Sequence, residues 1–131
     1  MVAVDINERG TIVGAAEDDE RKRWVVWWSA EERALHVFGE GDPIAINDAD
    51  VVAGSKLVRD ALDPNLEGPV AGTVERASKP KAYLFDLRRD IEVPLPGLTG
   101  HERSSKAVDI NNAGVAIGEA DGIPVIFASY P

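Results

Sequence analysis

The sequence predicts an all-β domain assembled from about three repeated antiparallel units of three or four strands each. Three observations carry that prediction. An Ile-Asn pair is followed by a glycine seven positions after the Asn at three places, Asn7 to Gly14, Asn47 to Gly54 and Asn111 to Gly118. Short apolar runs alternate with Asn, Asp and Gly turns along the chain. No stretch shows a sustained 3.6-residue apolar period. A spacing that returns three times in 131 residues marks an internally repeated architecture.

The first apolar run of each unit, Val2 to Ile6, Pro43 to Ile46 and Ala107 to Ile110, reads as a strand. A turn follows, and a second run, Thr11 to Val13, Val51 to Ala53 and Val115 to Ile117, completes a hairpin. Asn bonds its own downstream amides and accepts left-handed angles, and Gly takes a positive φ without steric cost. In the middle unit Asp50 replaces the turn glycine, which Asp tolerates better than most residues.

The third runs are Arg23 to Trp28, Ala82 to Leu87 and Pro124 to Ala128, aligned on Trp28, Phe85 and Phe127. Alternation puts Trp24, Val26 and Trp28 on one face of the first of these and Val25 and Trp27 on the other. Two apolar faces predict a strand covered on both sides, with at least one tryptophan ring buried. Fourth runs, Ala34 to Phe38 and Ile91 to Leu95, complete the first two units, and the third unit has none. Ser29 to Glu32 matches a capping box, but the space between two strands allows only a single turn. The units span about 1–39, 43–98 and 104–131 of a single domain. Leu57 to Gly68 is an insertion in the middle unit, in which Val58 to Asp63 suits a helical turn stopped by Pro64. Gly68 to Gly72 then reads as an extension of the second strand or a weak extra one.

Composition narrows the function classes. A hydrophobic fraction of 44% is that of a globular chain, and the absence of cysteine removes disulfides and thiolate metal sites. With 23 acids against 14 bases the formal charge is −9, which repels phosphate backbones and argues against nucleic acid. The acids are scattered, and the longest acidic run, Glu17 to Glu20, leads straight into Arg21-Lys-Arg23, the pattern of a solvated hairpin loop. No apolar stretch approaches the roughly 18 residues of a membrane span. The sequence starts inside the first repeat strand, with no room for a leader, which favours the cytoplasm; a trimmed chain would fit an extracellular setting.

Ser104-Ser-Lys-Ala-Val-Asp-Ile-Asn-Asn-Ala-Gly-Val-Ala-Ile-Gly118, preceded by Pro94-Leu-Pro-Gly-Leu-Thr-Gly100, resembles the HAF-type extracellular repeat. Trp24 to Ser29 and Lys81 to Asp86 fall where that repeat has its His-Ala-Phe-Leu-Trp strand, without the namesake His. The resemblance covers most of the chain outside Leu57 to Gly68 and implies architecture rather than chemistry. Four-stranded units of about 40 residues suggest propeller blades, and propellers close with roughly 4 to 8 of them. Three units leave a sheet edge open, so a homodimer sharing closure between chains is the expected assembly. A self-closed β-barrel, a sandwich or a β-trefoil are the alternative architectures.

Asp5-x-Asn7-x-x-Gly10 and Asp109-x-Asn111-x-x-Gly114 resemble calcium loops but place Arg9 and Ala113 where a further oxygen ligand is needed. They read as Asx-type turns, so no metal site and no cofactor is expected. His36 alternates with apolar neighbours and reads as a half-exposed sheet residue. His101, Glu102, Arg103, Ser104, Ser105 and Lys106 form the densest cluster of functional groups. It offers a base at His101, a nucleophile at Ser104 or Ser105, and an anion-binding Arg103 or Lys106. The same segment also reads as a polar loop ahead of a strand. Trp24, Trp27 and Trp28 are binding anchors if exposed and core if buried.

These readings favour a non-catalytic binding module that presents Ala16 to Lys22, Lys56 to Glu67 and Gly100 to Ser105 to a ligand or partner. The inserted segment supplies the specificity candidates Arg59, Asp60, Asp63 and Asn65, with Arg103 beside them. A small acid–base enzyme using the His101 cluster, His101 with Glu102 or a nearby Asp and Ser104 as a further candidate, is the alternative, and a purely structural self-assembling subunit the second.

Overall fold

A computed structural model of the chain describes residues 1–59, 78–96, 103–127 and 129–130. All regular structure among them is β, in three open antiparallel sheets, and no sheet closes into a barrel. The first sheet is β1 (Val2–Ile6), β2 (Thr11–Glu17), β3 (Arg23–Ser29) and β4 (Leu35–Glu40), in that order across the sheet. The second is β5 (Asp42–Ile46), β6 (Val51–Arg59), β7 (Ser78–Asp86) and β8 (Ile91–Pro94). The third is β9 (Ser105–Ile110), β10 (Ala116–Ala120) and β11 (Ile123–Ile126).

The seven-residue spacing has a physical origin. In each sheet the first strand carries a bulge, which skips Val4, Ile44 or Val108 in the pairing. Gly14, Gly54 and Gly118 lie opposite the bulges, paired with Ala3, Pro43 and Ala107. A Cβ on Gly14 would sit 2.6 Å from the Val2 carbonyl oxygen, and one on Gly54 or Gly118 would collide with the carbonyl of Asp42 or Lys106. The glycine is there because a backbone approaches it, not because of its φ. Positive φ falls instead on the fourth turn residue, 80° at Gly10, 60° at Asp50 and 82° at Gly114.

The sheets stack through two apolar layers. Val13 and Val25 of the first sheet pack with Ile46, Val52, Phe85 and Leu87 of the second. On its other face the second sheet sets Val51, Ala53, Ala82 and Leu84 against Ala107, Ile110, Ala116, Val125 and Phe127. Alternation along β6 sends Val52 to one neighbour and Val51 and Ala53 to the other. Phe85 and Leu84 lose all contact with water, which stabilises the stack by about 1.5–3 kcal/mol each.

Three expectations change. Leu57, Val58 and Arg59 are not loop or helical turn: they continue β6, paired with Pro80, Lys79 and Ser78. Residues 60–68, the rest of the insertion, and the proposed extension at 68–72 lie outside the described residues. No tryptophan ring is buried; Val25 and Val26 are, and Trp24, Trp27 and Trp28 are half-buried. Among the described residues no second sheet lies on the outer face of the first sheet, although Val26 on that face of its third strand is buried. Ser29 to Arg33 forms the expected single turn, closed by the Arg33 amide on the Ser29 carbonyl at 3.0 Å. Among the described residues no helix is long and apolar enough to cross a membrane.

Candidate functional site

Antiparallel connections place the links of the stack at two ends. At one end stand the three Asn turns. Each Asn Oδ1 collects amides of its own turn: Arg9 and Thr11 at Asn7, Ala49 and Val51 at Asn47, and Val115 at Asn111. These are Asx-type turns, with the side-chain oxygens spent on the backbone rather than turned to an ion. The Asn amides tie the sheets together. Asn7 Nδ2 donates to the Asn47 carbonyl at 2.8 Å, and Asn47 Nδ2 donates to the Asn111 carbonyl at 3.0 Å. The next residue repeats the step, with the Glu8 amide on Asp48 Oδ1 at 2.9 Å and the Asp48 amide on Asn112 Oδ1 at 2.8 Å. Asp50 accepts from Asn7 Nδ2 at 2.7 Å and from Arg88 Nε at 2.9 Å, which gives the departure from glycine a purpose. The turns border an open groove of about 630 Å³, but its asparagines are engaged with one another.

The opposite end carries the β2–β3 link, the outer ends of β6 and β7, the β10–β11 turn and the approach to β9. A second groove of about 340 Å³ lies there between the first two sheets. Its lining sets Arg21, Lys22 and Arg23 beside Glu40 and Asp42, with Gly41, Ser55, Leu57 and Pro80 completing it. Lys22 pairs with Glu40 at 3.3 Å and Arg23 with Asp42 at 3.1 Å. Arg21, at φ 64°, makes no ion pair among the described residues. Leu57 is 65% exposed although it lies in a strand. Gly41 is required by the packing beneath, since a Cβ there would meet the Phe85 ring at 2.6 Å. The link itself is shaped by Asp18, whose carboxylate accepts the amides of Glu20 and Lys22 and the Trp24 indole at 3.1 Å. The indole bond, followed by the Lys22 amide, holds the Asp18 carboxyl below the usual carboxylate range.

The sequence-predicted residues separate accordingly. Trp24 anchors the β2–β3 link, Trp27 stacks on His36 with centroids 4.1 Å apart, and Trp28 lies over Gly14. His36 is the expected half-exposed sheet residue, its Nε2 3.7 Å from Glu32. Asp60, Asp63, Asn65, His101 and Glu102 lie outside the described residues. Arg59 belongs to β6. The amides of Arg103 and Ser104 both donate to Asp121 at 3.0 Å, and these bonds, Ser104 first, hold its carboxyl low. Ser105 is not a nucleophile on a loop. It is buried in β9, and its Oγ accepts the Ala82 amide at 2.8 Å across the sheet interface. Lys106 faces Glu119 at 3.6 Å.

Sequence reasoning missed the groove, for which the signals were the basic triplet after an acidic run and an apolar residue at 57. Compared with known proteins, the chain matches no family, no curated protein and no solved structure.

Proposed function

We propose that the protein is a non-catalytic binding module of propeller-like blades, and that its ligand is a small anion with an apolar portion. The ligand lies in the groove between the first two sheets. The observation that carries this reading is Arg21, a guanidinium that makes no ion pair among the described residues, in a groove also lined by the exposed Leu57 and Pro80. A carboxylate beside Arg21 gains a charge-assisted, bidentate bond, and an alkyl or aryl group gains the apolar wall. The net charge of −9 disfavours ligands of high negative charge, which narrows the class to monoanions. Three features support a blade reading over other β architectures: repeated units, open sheets of three or four strands stacked face to face, and the resemblance to HAF-type repeats. Of the residues in the catalytic alternative, Ser105 has its Oγ engaged with a backbone amide, while His101 and Glu102 lie outside the described residues.

The test is an NMR titration with octanoate, using octylammonium and butyrate as comparison probes. Octanoate should move the amides of Arg21, Lys22, Gly41 and Leu57, with Arg21→Ala weakening it about tenfold or more. Preference for octylammonium, or shifts confined to the Asn turns, overturns the reading.

A further inference from the structure

Among the described residues the two outer sheets each leave one face without a second sheet, and equivalent positions in the three units identify what covers them. Ile6, Ile46 and Ile110 each precede a turn Asn. Ile46 and Ile110 are 7% exposed, each packed under residues of the sheet before it, whereas Ile6 is 58% exposed. The trailing side behaves the same way. Val13 and Ala53 are fully buried by the sheet that follows, yet Ile117, at their position in the third unit, is 45% exposed. Leu84 is fully buried, and its counterpart Ile126 is 75% exposed.

The polar ladder is open at the same two ends. Asn7 and Asn47 each donate to the next turn's carbonyl, but among the described residues Asn111 Nδ2 has no acceptor. Among the described residues the Asn7 carbonyl accepts only the Gly10 amide of its own turn. Asp5 bridges its own sheet and the next, taking the Ile6 amide on Oδ1 and the Ile46 amide on Oδ2, both at 2.9 Å. Asp109 stands at the same position with the Ile110 amide on Oδ1, and its Oδ2 has no donor among the described residues.

We propose that a second copy of this chain covers both faces, head to tail. The third sheet of each copy packs on the first sheet of the other and closes a ring of six sheets about a two-fold axis. In each junction Asn111 Nδ2 donates to the carbonyl of Asn7 of the partner subunit, and Asp109 accepts the amide of Ile6 of the partner subunit. Ile117 and Ile126 cover Ile6 and Trp28 of the partner subunit, as Val13 covers Ile46 within the chain. The argument for a second copy is continuity: the junction repeats two interfaces the chain already contains, and both halves of it lie on this one chain. Head-to-tail contacts either close or polymerise, and six units fall within the roughly 4 to 8 at which stacked blades close.

Light scattering on the eluting protein, with Ile6→Lys and Ile117→Lys as variants, tests the proposal. The parent should run at twice 14.1 kDa. Each variant alone should weaken association by about 100-fold or more, as expected for a charge placed in an apolar junction. A mixture of the two should pair, because the unaltered third sheet of one meets the unaltered first sheet of the other. Both positions are exposed within the chain, so circular dichroism should show unchanged folding. A monomeric parent at about 100 μM, a higher polymer, or a dimer indifferent to either lysine overturns it. Indifference to one lysine alone would mean a face pairing with itself.

Discussion

Replacing the three turn asparagines by alanine, one at a time, separates their roles by position in the stack. Asn47 is 4% exposed, accepts two amides and donates to the Asn111 carbonyl. At about 1 kcal/mol net for each bond, the loss is about 3 kcal/mol, and the buried Val51 amide left without an acceptor adds about 1–3 kcal/mol. Asn7 is half-buried and makes four bonds, two of them to the second sheet, but the amides it abandons are better placed to find water. Its loss should cost about 2–3 kcal/mol. Asn111 is exposed and holds one amide of its own turn, so its loss should cost about 1 kcal/mol. Urea unfolding followed by tryptophan fluorescence measures all three, in the Ile6→Lys background so that self-association does not contribute. The expected order is Asn47, then Asn7, then Asn111. Equal losses would mean that the asparagines act only within their own turns, and the ladder between sheets would be refuted.

Gly54→Ala should destabilise by about 1–3 kcal/mol because its Cβ must displace the Asp42 carbonyl beside the bulge. Gly39→Ala, with nothing within 4 Å of the new atom, should be near neutral in the same melts. Ser105→Ala should cost about 1–3 kcal/mol by orphaning the buried Ala82 amide, measured by chemical denaturation, without altering octanoate binding. Asp121 has its folded carboxyl held low by the amides of Ser104 and Arg103, so its contribution is complete above its unfolded value. That contribution disappears as pH falls through the lower folded value. The amide signals of Arg103 and Ser104 should therefore move together in an acid titration, and Asp121→Asn should abolish that movement.

Strand positions were legible because each run is short, apolar and bracketed by turn residues that permit few conformations. Asn7, Asn47 and Asn111 announced their turns because a side-chain oxygen two to four residues before a backbone amide is a local device. The order in which sheets stack is not local. Nothing in Trp24-Val-Val-Trp-Trp28 says that only one face of β3 meets another sheet, so the expectation of a buried ring failed. The arms of β6 and β7 run past the repeat length because Leu57 to Arg59 find partners in Ser78 to Pro80, residues about 20 positions away. The groove needs the β2–β3 link of one sheet beside the arm of the next, a neighbourhood that exists only after stacking. The glycine spacing was visible as a pattern, yet its cause lay across the hairpin in the carbonyl of a bulge.

Asp50 has a consequence for folding. Near-identical units invite errors of frame, in which the first sheet docks on the third and leaves the second looped out. Such a mispaired stack would satisfy every backbone rung, since all three turns present the same carbonyl. It would find Gly114 where Asp50 should be, and Asn7 would lose the carboxylate that it shares with Arg88. One side chain thus acts as an address, distinguishing the correct neighbour from its duplicate at the moment of docking.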